Sequence, residues 1–119
     1  MIVTGALLAE SASAVDNKLN IIGGVADTYQ VGPQRVAQVT LVVLIQAEPF
    51  DKAPKVDVKI TDPSGNSQAH QFDMPESSLG GEIGFGYFPL RIPVPVDGRY
   101  VIAVSGRGGF VALPLKVIS

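Results

Sequence analysis

The 119-residue chain contains no cysteine, carries a net charge of −2 and has 17% charged residues. A chain of this length buries a core without covalent staples. The missing thiols exclude disulfide frameworks, cysteine nucleophiles, thiolate zinc sites and iron–sulfur clusters together. A charge so near neutral, with no run of like charges, argues against nucleic-acid binding. The charged fraction lies below the roughly 25% of an average globular chain, and the apolar set with glycine exceeds its usual share of about half. Two readings follow: a β-rich core dense in Val and Ile, or an outer face buried by another chain.

No long segment has a helical period. Apolar residues alternate in short runs, broken by Gly, Pro, Asp and Asn every 8–15 residues, as in a sandwich or barrel. The first predicted strand covers residues 2–13, and Asp16-Asn17 supplies the left-handed conformations of a tight hairpin. No positive residue precedes this apolar segment and Glu10 interrupts it, so it reads as a strand and not as a secretory signal. The second strand covers 19–29, with Gly23-Gly24 marking a bulge. Gly32-Pro33 then breaks the chain.

The third strand, 35–47, puts Val39, Leu41, Val43, Ile45 and Ala47 on one face. Val42 and Leu44 fall on the opposite face, among Gln38, Thr40 and Gln46. They require cover from a loop, a neighbouring chain or packing on both sides. The fourth strand, 55–61, alternates cleanly, with Val56, Val58 and Ile60 inward. Asp62-Pro63-Ser64-Gly65-Asn66 turns it into a fifth strand, 67–74, with Phe72 and Met74 inward and an edge-like polar character.

After a loop over 75–81, a sixth strand begins near Glu82. Ile83, Phe85 and Tyr87 alternate with Gly84 and Gly86, and the apolar phase then moves to Phe88, Leu90 and Ile92. A phase slip of one residue predicts a bulge near 87–89. Pro93 and Pro95 extend the connection, and Asp97-Gly98 turns into the seventh strand, 99–105, with Tyr100, Ile102 and Val104 inward. The glycine-rich loop 105–109 leads to the eighth, 110–118, whose core side is Val111, Leu113, Leu115 and Val117. Pro114 places this strand at an edge. No apolar stretch reaches the roughly 18 residues of a membrane span. The expectation is one domain over 1–119: an all-β, antiparallel sandwich of about eight strands, immunoglobulin-like or C2-like, soluble and without membrane insertion. A closed barrel is the alternative.

Three segments carry a resemblance: Gly5-Ala6-Leu7-Leu8-Ala9-Glu10-Ser11-Ala12, Asp16-Asn17-Lys18-Leu19-Asn20-Ile21-Ile22-Gly23-Gly24, and Val96-Asp97-Gly98-Arg99-Tyr100. The pattern resembles a family of small uncharacterised bacterial and phage-type proteins, and it spans nearly the whole chain. The resemblance implies a β-sandwich. It supplies no catalytic residues, because its motifs are turns, bulges and core positions. It is compatible with a phage particle, in a decoration or accessory role.

Candidate chemistry is sparse. His70 is the only histidine and has no partner for a metal site or a triad; no Gly-x-Ser-x-Gly elbow occurs. Glu48, Asp51, Asp57, Asp62 and Asp73 lack an Asp-x-Asp pair within a loop, as loop calcium sites would favour. The glycine-rich stretches 80–86 and 106–109 lack the Lys-Ser/Thr of a phosphate loop. The expectation is therefore a protein with no catalytic, cofactor or metal residues. It acts as a structural or interaction module, forming a homo-oligomer or larger assembly or binding another protein. Its candidate interaction residues are Val42, Leu44, Tyr87, Phe88 and Arg91, since Arg and Tyr are enriched at interfaces. The alternative is a carbohydrate- or lipid-binding sandwich using Tyr29, Phe50, Tyr87 and Phe88.

Overall fold

The computed structural model describes residues 1–119. It is all-β, with ten strands: β1 (Ile2–Ala9), β2 (Ser11–Val15), β3 (Lys18–Ile22), β4 (Thr28–Gln30), β5 (Val36–Gln46), β6 (Lys55–Thr61), β7 (Ser67–Asp73), β8 (Ile83–Pro93), β9 (Gly98–Ser105) and β10 (Phe110–Ile118). A single 3-10 turn, Glu76–Leu79, lies between β7 and β8. The strands form a three-stranded sheet ordered β1-β5-β8, a five-stranded sheet ordered β4-β10-β9-β6-β7, and a separate β2–β3 hairpin. All pairings are antiparallel except β4 with β10.

Both large sheets contribute to one core. β5 gives Ala37, Val39, Leu41, Val43 and Ile45, which meet Val56, Val58, Tyr100, Ile102, Val104, Leu115 and Val117 of the other sheet within one cluster. This alternation follows the period of two along each strand. Each fully buried aliphatic side chain contributes about 1.5–3 kcal/mol relative to exposure. The inward set of β5, the half-buried alternation of β6 and the 62–66 turn all match the sequence pattern. In that turn the Asp62 carboxylate accepts from the backbone N–H groups of Ser64 and Asn66, both at 2.9 Å.

Three expectations are corrected. The first predicted strand divides at Glu10, because β1 joins the three-stranded sheet while β2 turns away to pair with β3. Asp16 and Asn17 both have positive φ, as a two-residue hairpin of right-handed twist requires. The second predicted strand also divides. Gly23 (φ 67°) takes the chain out of the hairpin, and β4 crosses to pair in parallel with β10. β8 has no bulge: its pairing with β5 is continuous from Val36↔Pro93 to Gln46↔Ile83.

Polar clasps fix both ends of the molecule. At one end the Met1 amine donates to Glu48 and to Asp51 (2.8 Å), and the Val3 N–H donates to the Gly108 carbonyl at 2.8 Å. At the other, Arg35 at the start of β5 donates to the Val94 carbonyl and the Asp97 carboxylate, each at 2.9 Å. Asp97 also accepts from the Ser119 N–H (3.1 Å) and hydroxyl (2.7 Å).

Candidate interaction surface

The sequence phase of β8 fails for a packing reason. Large residues ordinarily face a core and glycines face out, but here Gly84 and Gly86 are buried while Ile83 is 77% and Tyr87 37% exposed. The 3-10 turn and Met74 occupy the space an inward side chain would fill. A Cβ on Gly84 would stand 2.0 Å from the Ser78 carbonyl oxygen, and one on Gly86 3.0 Å from the Met74 thioether. With even positions inward throughout, Phe88, Leu90 and Ile92 continue in phase. Phe88 packs against the core and stacks on Phe72 at 5.1 Å between centroids.

β8 pairs with β5 on one side only and so ends its sheet. The direction of its backbone groups follows from two hydrogen bonds at its ends. The Ala47 N–H donates to the Glu82 carbonyl, and the Val94 N–H donates to the Arg35 carbonyl. Even-numbered residues therefore aim their backbone groups at β5, and by the alternation of a strand odd-numbered ones aim theirs at the open edge. Those are Ile83, Phe85, Tyr87, Pro89, Arg91 and Pro93. Both prolines fall where no N–H is needed, as on an edge strand. Ile83, Phe85 and Tyr87 keep their N–H and C=O groups free of any partner in the chain.

This edge floors a groove of about 820 Å³. Ala14 and Asn17 of the β2–β3 hairpin line it, as do Asp73, Pro75, Ser77 and Gly80. The outer face of the sheet runs into it through two cross-strand ladders, Leu7–Val42–Tyr87 and Gly5–Leu44–Phe85. Val42 is only 1% exposed, although it lies outside the main core cluster. The hairpin supplies its cover: β2 packs across β5 and β8, and Gly24 beyond β3 is crowded by Ile21, Leu7 and Ala9 together.

The five expected interaction residues therefore separate. Val42 needs no partner chain, because the β2–β3 hairpin covers it. Phe88 faces inward. Leu44 is half-buried on the outer face, and Tyr87 and Arg91 are exposed along the outward side of β8. Ile83 and Phe85 join them on the outward side; their alternation with Gly84 and Gly86 left their face unassigned, and the burial of Ser78 against Gly84 settles it. The aromatics considered for a glycan or lipid platform do not share a face. Tyr29 packs on the core, and Phe50 (93% exposed) sits in a loop groove with Met1 and Arg107.

His70 is exposed on β7, with its ring 6.4 Å from Phe72. Asp57 accepts from the Gln71 amide at 3.0 Å on the same exposed surface. Glu48 and Asp51 are committed to the Met1 amine, a pairing with no sequence signature. Burial of that amine acts to lower its pKa, but the hydrogen bonds it donates to Asp51 and Glu48 outweigh this and hold the pKa above its ordinary value. The same amine, with the Glu48 backbone N–H, holds Asp51 below the usual carboxylate range. Asp97 is lowered by its bonds from Ser119 and Arg35.

By fold the chain belongs among all-β proteins of multiple antiparallel sheets. It matches no protein-family model, no curated protein and no solved structure. No helix is long and apolar enough to cross a membrane.

Proposed function

We propose that this protein is a non-enzymatic structural or protein-interaction module, acting by assembly with itself or with another protein. The observation that carries this reading is the open edge of β8. Its free backbone groups at Ile83, Phe85 and Tyr87 lie beside an apolar stripe of the same three side chains. Unpaired edges are templates for strand addition, in which main-chain hydrogen bonds give affinity and alternate side chains give selectivity.

We further propose that the two large sheets face each other as an antiparallel, immunoglobulin-like or C2-like sandwich. Their shared core supports this. So does the buried Tyr100 near the start of β9, whose hydroxyl donates to the Val96 carbonyl at 2.8 Å, in the manner of the tyrosine corner of immunoglobulin-type folds. A phage particle is a setting with which the resemblance in the turn motifs is compatible.

The test places a photo-crosslinking side chain at Ile83 and, as control, at Val96. Capture of a second copy or of one defined partner at Ile83 and not at Val96 is the expected result. A chain that stays monomeric at high concentration and captures nothing at Ile83 overturns the reading. Binding on a glycan array that is lost in Tyr87→Ala would replace it with the ligand-binding alternative.

A further inference from the structure

We infer that the occupant of the β8 edge is the same edge of a second copy, paired antiparallel about a two-fold axis at Phe85. This rests on the reading above that the chain works through protein assembly. Three consecutive edge-facing residues carry both an N–H and a C=O: Ile83, Phe85 and Tyr87. A two-fold at the middle one sets Phe85 opposite Phe85 of the second copy and Ile83 opposite its Tyr87. Each free donor of these three residues then meets a free acceptor, in the pattern of hydrogen-bonded antiparallel pairs.

Pro89 selects this register. Moving the axis one residue toward the C-terminus would bring Pro89 opposite Ile83, with its ring aimed at the neighbouring strand where a donor is required. With the axis at Phe85, Pro89 lies opposite Gly81, outside the strand. The outward side chains then form a continuous ladder across the joint, Ile83 beside Tyr87 and Phe85 beside Phe85. Such cross-strand apolar pairs stabilise a sheet.

Charge favours the same direction. β8 has an acidic approach, with Glu76 and Glu82 exposed, and a basic far half, with Arg91 exposed. Antiparallel pairing places the Arg91 half of one copy beside the Glu76 and Glu82 end of the other. Parallel pairing would set like charges together. The result is one six-stranded sheet, β1-β5-β8-β8-β5-β1, with an isologous interface. The paired edge is short compared with the roughly 800 Å² per partner of a standard interface, so the dimer is expected to be concentration-dependent.

The chain has no cysteine, so single substitutions report the register directly. Opposed residues of a hydrogen-bonded pair stand about 5.5 Å apart at Cα, within the span a disulfide bridges. Phe85→Cys is expected to link to itself under mild oxidation. Ile83→Cys alone is not, because two copies of residue 83 lie about 14 Å apart along the strands, but it should link when mixed with Tyr87→Cys. The mixed pair also stands as the second test should Phe85→Cys fold poorly. Phe85→Pro removes an N–H that the monomer does not use, in the phase already held by Pro89 and Pro93. It should keep its circular dichroism while self-association in sedimentation weakens at least about tenfold.

A dimer that links elsewhere, or that Phe85→Pro leaves intact, overturns this inference while leaving the assembly reading standing. The same holds for a monomer that captures a different protein at Ile83. A monomer that captures nothing overturns both.

Discussion

Gly84→Ala and Gly86→Ala differ by two positions on one strand face, and the structure separates them sharply. A Cβ at Gly84 would lie 2.0 Å from the Ser78 carbonyl oxygen and 2.8 Å from its Cα. These are backbone atoms of a buried turn that cannot rotate aside: Ser78 is 2% exposed, and its hydroxyl donates to the Pro75 carbonyl. Relief requires the 3-10 turn to move by more than 1 Å, on the order of the gap between 2.0 Å and ordinary van der Waals contact. Overpacking that forces side chains off-rotamer and shifts backbone costs about 1–3 kcal/mol, occasionally more; an overlap this deep with backbone atoms belongs at the upper end, so about 3 kcal/mol or above is expected.

At Gly86 the nearest atoms are the Sδ and Cε of Met74, at 3.0 Å. Methionine re-packs readily, and replacing glycine by alanine removes about 0.4–1 kcal/mol of unfolded-state freedom. Gly86→Ala is therefore expected to stay within about 1 kcal/mol of the parent. At about 2.1 cal/mol/K per residue, unfolding entropy for this length makes 1 kcal/mol worth about 4 °C. The predicted loss in Tm is about 12 °C or more for Gly84→Ala and about 4 °C or less for Gly86→Ala. Differential scanning calorimetry with urea titration reads both. Equal losses, or a larger loss at Gly86, would refute the account of why β8 turns its glycines inward.

Tyr100→Phe keeps a buried ring but strips the donor from the Val96 carbonyl. Because Val96 is itself exposed and its carbonyl can take water, a loss of about 1–2 kcal/mol in urea denaturation is expected. Val42→Ala removes two methyl groups from beneath the β2–β3 hairpin. It should cost about 1–2.5 kcal/mol and speed amide exchange in residues 12–21, whereas no change in either would mean the hairpin does not cover that face. Stability should fall on both sides of neutrality. The raised pKa of the Met1 amine gives a contribution fully present below about pH 8 and lost as pH rises through the folded value. The lowered Asp51 and Asp97 values give contributions present above about pH 4 and lost as pH falls through theirs. Tm measured against pH should show both limbs, and Asp51→Asn should reduce the alkaline one.

Strands whose partners lie on one side of one core were legible from alternation alone: β6, β7, β9 and β10 begin and end within a residue or so of their pattern. The outward phase of Val42 was legible too, but not what covers it, because a hairpin folding over a sheet leaves no periodic mark. β8 misled for the opposite reason. Alternation records which residues are large, and here the core side is filled from outside the strand by Met74 and Ser78, so the large residues were turned out. The direction of its edge depended on hydrogen bonds at residues 47 and 94, beyond any pattern within the strand.

The two polar clasps have a mechanical consequence. Met1 is held beside Glu48 and Asp51, and Ser119 beside Asp97 and Arg35, at opposite ends of the eleven-residue strand β5. A pull applied between the two chain termini runs along the strands. It strains the β1–β5 and β9–β10 ladders in shear, all their hydrogen bonds at once, and does not peel them one after another. A protein tethered at both ends in this way resists extension through its sheets, and its tethers leave in opposite directions.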